Sequence, residues 1–129
     1  GVDLVVSVES ERRSVIRRKA SENVVGLLPG SDPRLNDEYV VVSAHLDHVG
    51  KGAPIGGDAI YNGALDNASG IAVMLETARR LASLPQRPRR SVLFVAVTAE
   101  ESGLQGSDYF VQHPTVPRES MVANINIDM

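Results

Sequence analysis

The sequence predicts an α/β domain: a mixed sheet, parallel in its centre and antiparallel at one edge, with helices on both faces. Three observations predict it. The apolar runs Tyr39–Val42 and Val92–Val97 lack polar alternation, as buried strands do. Residues 71–82 between them carry the spacing of an amphipathic helix. Ahead of both lie short strand-like stretches separated by turn residues, an opening β-meander. Strand, helix, strand, helix, strand after such a meander is the order of an α/β domain.

In chain order, residues 2–8 (VDLVVSV) and 14–18 (SVIRR) are β-rich around the polar turn Glu9-Ser10-Glu11 and predict a hairpin. The basic residues Arg12, Arg13, Arg17, Arg18 and Lys19 are read as a solvated face, because acids flank them and no aromatics are interleaved. Residues 23–28 (NVVGLL) are a further short strand, and Pro29-Gly30-Ser31-Asp32-Pro33 is turn chemistry. The Tyr39 strand follows and stops abruptly in His45, Asp47 and His48.

Residues 50–65 are Gly-rich without periodicity and read as a long loop. It enters a helix at Asp66-Asn67-Ala68-Ser69-Gly70, whose apolar face is Ile71, Met74, Leu75, Ala78, Leu81 and Ala82. Glu76 and Arg80 stand at i,i+4 on the other face, and Pro85 ends the helix. Gln86–Arg90 is a basic connector into the strand Val92–Val97, which runs out into Thr98-Ala99-Glu100-Glu101. A broken helical stretch, SGLQGSDYFVQ, has Ser107 as the expected N-cap of its second part and ends at His113-Pro114. Val122–Ile127 is the last strand and ends in Asp128.

Composition excludes several functions. A chain of 129 residues is a single domain at most, with room for a core. Its net charge of −3 and few aromatics argue against a nucleic-acid partner. There is no Cys, hence no disulfide framework, Cys-based zinc site or thiol nucleophile. No apolar run approaches membrane-spanning length, and the first residues lack the pattern of a signal peptide.

The chemistry converges at one rim. In open α/β sheets ligands bind beyond the carboxyl ends of the strands. Three strands here end in His45 with Asp47, Glu100 with Glu101, and Asp128, while Asp66 stands where the long loop meets a helix. Each has an ordinary reading: Asp66 as a helix N-cap, the glutamates as a wet loop, Asp128 as a frayed end. Their joint placement favours a cation, because so many carboxylates at one rim would otherwise repel one another. Imidazole plus carboxylate suits zinc, and the Asp47 carboxylate can hold the second ring N–H of His45. His48 and His113 are read as loop or surface histidines.

The segments SAHLDHVG, GALDNASG, AEESGLQGS and NINIDM, in that order, resemble the successive motifs of metallopeptidase family 28, the two-zinc aminopeptidases of the bacterial leucyl aminopeptidase type. The resemblance runs from about Asn23 to Met129. It implies His45 and Asp128 as terminal ligands of one zinc, Asp66 as the bridge between two, Glu101 as a ligand of the second, and Glu100 as general base. Asp47 would support His45, and a cis peptide would follow Asp66. The implied activity is hydrolysis of the N-terminal peptide bond of peptides or proteins by a metal-activated water. The family also suggests a secreted or periplasmic location.

The family pattern has one more histidine after the last motif, as a ligand of the second zinc. Residues 1–129 are therefore expected to be a peptidase-like domain fragment lacking the C-terminal part, with one complete zinc site and weak or no activity alone. Self-association through the shortened sheet is expected as well. Two alternatives share the fold: a glutaminyl-cyclase-like acyltransferase with a single working zinc, and a non-catalytic metal-binding module. Two-metal stoichiometry separates the first from a peptidase, and Glu100→Gln separates the second.

Overall fold

The structure is a computed structural model that describes residues 6–15 and 19–129. Its strands are β1 (Val24–Leu28), β2 (Tyr39–His45), β3 (Gly50–Ile55), β4 (Asp58–Tyr61), β5 (Ser91–Val97) and β6 (Met121–Asn126), with helices α1 (Gly70–Ser83) and α2 (Gln105–Gln112). One four-stranded sheet has the order β1-β5-β2-β6. β5 and β6 both run parallel to β2, and β1 closes one edge antiparallel to β5. The mixed sheet expected from the sequence is present.

β5 is buried along its whole length, as a non-alternating apolar strand flanked by two others must be. Its side chains divide by parity. Val92, Phe94 and Ala96 join Val42, Ala44 and Met74 of α1 on one face. Leu93, Val95 and Val97 join Val41 and Phe110 of α2 on the other. The helices thus cover opposite faces, as right-handed crossovers require when the chain moves one way along the sheet from β2 to β5 and back the other way from β5 to β6. Among the described residues no helix is long and apolar enough to cross a membrane.

Three expectations are corrected. The segment read as a loop from residue 50 is an antiparallel hairpin, β3–β4, separate from the main sheet. Gly56 and Gly57, with φ of 61° and 91°, supply the two left-handed residues of a tight turn. The Tyr61 hydroxyl donates to the Ala53 carbonyl across the hairpin at 3.1 Å. Within α1 the packed stripe is Ile71, Met74, Ala78 and Leu81, whereas Leu75 is 60% exposed and Ala82 is also exposed. The stripe is narrower because α1 lies against a single sheet face.

Ser107 does not cap α2. The helix begins at Gln105 after Leu104, which holds a left-handed φ of 60°, and the Ser107 hydroxyl donates back to the Leu104 carbonyl at 2.9 Å. The start is set by Gly106, whose N–H donates to the Thr98 carbonyl at 2.9 Å and whose Cα packs too close to Thr98 for a side chain. The hairpin expected over 2–8 and 14–18 lies partly outside the described residues. Its described part, 6–15, has no strand pairing and is exposed, consistent with a stretch too charged to cover an apolar face.

Candidate metal centre

Because β2, β5 and β6 are parallel, their carboxyl ends lie on one rim. The pairing continues one step past β2 and β6. The Leu46 N–H donates to the Val97 carbonyl and the Ile127 N–H to the Ser43 carbonyl, each at 2.8 Å. These bonds hold His45, the Thr98–Glu101 turn and Asp128 in register.

His45 is 3% exposed, and its Nδ1 lies 3.0 Å from the Asp47 backbone carbonyl. The Asp47 carboxylate stands farther off, at 3.8 Å. The tautomer is therefore oriented by the Asp47 main chain rather than by its side chain, a correction to the sequence reading. With Nδ1 donating, Nε2 is left with its lone pair. It stands 3.0 Å from Asp66 Oδ1 and 3.2 Å from Asp128 Oδ1. Donors around one tetrahedral zinc at ~2.0–2.1 Å stand about 3.3 Å apart. Burial pushes the His45 pKa down, but the bond to the Asp47 carbonyl and the charges of Asp128 and Glu100 outweigh it, so the net shift is upward.

Asp47 has a different task. Its Oδ1 accepts the Glu100 N–H at 3.1 Å and its Oδ2 the Glu101 N–H at 3.4 Å. The turn they fix is entered through Ala99, a non-glycine residue at φ 53°. That conformation costs roughly 1–2 kcal/mol, which the surrounding bonds must offset. The Glu100 carbonyl in turn accepts the Gly103 and Leu104 N–H groups, both at 2.9 Å.

Asp66 sits in a wide turn, Ala64–Ser69, where Asp66 and Asn67 depart from helical backbone. The Asp66–Asn67 peptide is cis. Asn67 is 1% exposed and anchors the turn at two points. Its Nδ2 donates to the Ile127 carbonyl at 2.8 Å, and its Oδ1 accepts the Gly70 N–H at 3.1 Å. One buried amide thus ties the Asp66 turn both to the end of β6 and to the first residue of α1.

The rim carries two groups of potential ligands. One is His45, Asp66 and Asp128; the other is His48, Asp66 and Glu101. In each group the donor atoms lie within 4.8 Å of one another. The four ligands named from the sequence, His45, Asp66, Glu101 and Asp128, are all in these groups, and so is His48, which the sequence alone reads as a loop histidine. His113 does not join them; it stacks on Tyr109 with ring centroids 4.4 Å apart. The donor chemistry, imidazole with carboxylate in both groups, fits zinc.

The model for peptidase family M28 matches residues 23–129. Mouse aminopeptidase NAALADL1 is 35% identical over 135 residues, which take in 100% of this chain and 16% of that protein. A peptidase M28 precursor from Shewanella amazonensis superposes with a TM-score of 0.69 at 30% identity, over 82% of this chain and 22% of its own. BSAP, a zinc aminopeptidase from Bacillus subtilis, does so with a TM-score of 0.62 at 32% identity, over 83% of this chain and 24% of its own. The chain thus spans a quarter or less of the proteins it matches here. By the family model, which takes in the whole rim, this chain belongs to peptidase family M28.

Proposed function

We propose that this rim is the zinc-binding and proton-transfer part of an aminopeptidase site, acting on the N-terminal bond of peptides. The observation that carries the reading is the division of Asp66. Its Oδ1 stands 3.0 Å from His45 Nε2, while its Oδ2 faces the other way, 3.8 Å from His48 Nδ1. One carboxylate turned to two donor groups is what a bridged pair of ions needs. His45, Asp66 and Asp128 would hold one zinc, and Asp66 with Glu101 would bind the other.

Bound zinc would polarise the peptide carbonyl and lower the pKa of an attacking water. The chain's own residues supply the rest. Glu100, close enough to raise the pKa of His45 by its charge, takes the proton of the water on its carboxylate and returns it to the departing amine. Asp47 keeps Glu100 and Glu101 in place by holding both backbone N–H groups. The Asp47 carbonyl holds the Nδ1 proton of His45 and leaves Nε2 as the donor. Adjacent glutamates would divide the labour, Glu101 as a ligand of the ion and Glu100 as the base.

The test is zinc content by metal analysis after reconstitution, with His45→Ala as control, joined to hydrolysis of an aminoacyl anilide. Zinc should be bound by the unaltered chain and reduced in the control. In Glu100→Gln zinc should stay, while any hydrolysis that the unaltered chain shows, expected to be weak, should fall by on the order of 10²–10⁴. Zinc binding indifferent to His45→Ala, or measurable hydrolysis by the unaltered chain that Glu100→Gln leaves unchanged, would overturn the reading.

A further inference from the structure

We infer that Asn23 is a positioning residue for Glu100 and Glu101: its side-chain amide closes the loop that carries them. It does so from the β1 side of β5, as Asp47 does from the β2 side. The inference rests on the reading of these glutamates as base and ligand, and names a residue that acts through their backbone.

Three observations carry it. First, the main-chain ladder stops short of the loop. Val24 and Ala96 are the last paired residues of β1 and β5 toward this rim. Beyond them the Asn23 side chain takes over, and its Oδ1 accepts the Thr98 N–H at 3.0 Å. Its Nδ2 donates to the Gly106 carbonyl at 2.7 Å. The Gly106 N–H donates in turn to the Thr98 carbonyl at 2.9 Å. One amide, using one acceptor and one donor, thus joins the residue that enters the loop to the residue that leaves it. Glu100 and Glu101 lie inside that closed loop.

Second, the space for this amide is built in. A Cβ on Gly106 would lie 2.7 Å from Asn23 Oδ1 and 2.6 Å from the Thr98 nitrogen. The first turn of α2 therefore carries glycine where the amide and the Thr98 backbone meet. Ser21 adds a further tie, its hydroxyl 2.7 Å from that of Thr98.

Third, the loop needs holding. Ala99, directly after Thr98, has a left-handed φ of 53°, and Leu104 one of 60°. Non-glycine residues keep such backbone only where the surroundings over-determine it. Asp47 fixes the middle of the loop, at Glu100 and Glu101. Asn23 fixes its two ends, so the direction of the glutamate carboxylates is set by both.

The competing explanation is that Asn23 only adds stability to the sheet. Asn23→Ala, Asn23→Asp and the control Val25→Ala would be compared with the unaltered chain by amide exchange and by zinc-induced shifts in 1H–15N spectra. Val25 packs on the core from the same strand, so its truncation costs stability without cutting the bonds at Thr98 and Gly106. In Asn23→Ala the Glu100, Glu101, Gly103 and Leu104 amides should exchange about 10–100-fold faster, beyond any change at the β5 amides. Zinc should still shift the His45 ring, while its shifts at the Glu100 and Glu101 amides should be largely lost. Asn23→Asp keeps an acceptor for Thr98 but sets a carboxylate oxygen against the Gly106 carbonyl, so it should restore neither readout. Val25→Ala should speed exchange across the sheet without singling out the loop, and keep the zinc shifts. Should Asn23→Ala prove unfolded, Asn23→Ser, whose one hydroxyl is too short to span both partners, takes its place.

Loop exchange or glutamate zinc shifts unchanged in Asn23→Ala overturn the inference. So does restoration by Asn23→Asp, or the same loop-specific loss in Val25→Ala. An unaltered chain in which zinc shifts His45 but not the glutamate amides overturns it too, because the loop would then aim nothing at the ion. These failures leave the wider reading standing as long as zinc shifts the His45 ring. A His45 ring that zinc leaves in place overturns the reading and the inference together.

Discussion

The Asp47 carboxylate reaches across from the end of β2 to the turn after β5, where its Oδ1 accepts the Glu100 N–H at 3.1 Å and its Oδ2 the Glu101 N–H at 3.4 Å. The residue next to the β2 histidine therefore sets the backbone of the two glutamates. In Asp47→Ala the part-buried Glu100 N–H loses its acceptor, at a cost of about 1–3 kcal/mol, while the exposed Glu101 N–H can turn to water. Zinc affinity should fall on the order of 10–100-fold, as it does when an orienting partner is removed. Faster amide exchange at Glu100 and Glu101, with the β5 amides unchanged, checks the mechanism. Unchanged exchange there would show that the turn stands without Asp47.

Asn67 makes the complementary link from Asp66 to β6. In Asn67→Ala the Ile127 carbonyl and the Gly70 N–H both lose a partner. Each buried group left unpaired costs about 1–3 kcal/mol. Loss of stability in denaturant melts should be accompanied by weaker zinc binding, because Asp66 and Asp128 flank the bonds that are cut. Asn67→Asp keeps an acceptor for Gly70 but brings a charge and no donor into the buried position. It should be no better than alanine.

Much of this rim is legible in the sequence because strand ends announce themselves. Apolar runs that stop at His45, at Glu100 and at Asp128 need only the rule that parallel strands share a carboxyl edge. His48 was not legible in the same way. Its partners lie far along the chain, and the approach depends on Gly63, whose left-handed φ the sequence does not display. The β3–β4 hairpin was missed because Gly50–Ile55 has no alternating side chains to read. The pair Gly56-Gly57 was the available signal, and it marks the turn correctly. Ser107 was misplaced as a cap because α2 is started by a backbone contact between Gly106 and Thr98, a tertiary effect invisible to local chemistry.

The division of the core gives a prediction by contrast. Leu93 is 2% exposed in the middle of β5, whereas Leu75 of α1 is 60% exposed. Leu93→Ala removes packed volume from a site that cannot collapse easily, and should cost about 2–5 kcal/mol. Leu75→Ala should stay within about 0.5 kcal/mol of the unaltered chain. Similar losses in both variants would mean that Leu75 is covered by something in solution, which thermal melts at several protein concentrations would reveal.

The last prediction concerns acid. On the outer face of α1, Glu76 accepts the Arg79 fork through both carboxylate oxygens at 2.7 Å, and Arg80 Nε at 2.7 Å. These two guanidinium groups, Arg79 first, lower its pKa from 4.5 to about 2. A carboxylate depressed in the folded state stabilises that state at pH values above its unfolded pKa. The contribution is lost as pH falls from 4.5 toward 2. The Glu76 side chain is 43% exposed, so the effect should be modest and should shrink as salt is raised. An NMR titration should find the Glu76 carboxyl ionised well below the other exposed glutamates, with α1 amides exchanging faster through the same pH window. Glu76→Gln should abolish that window and leave the helix intact at neutral pH. A Glu76 titration near 4.5 would mean that the two arginines do not hold it in solution.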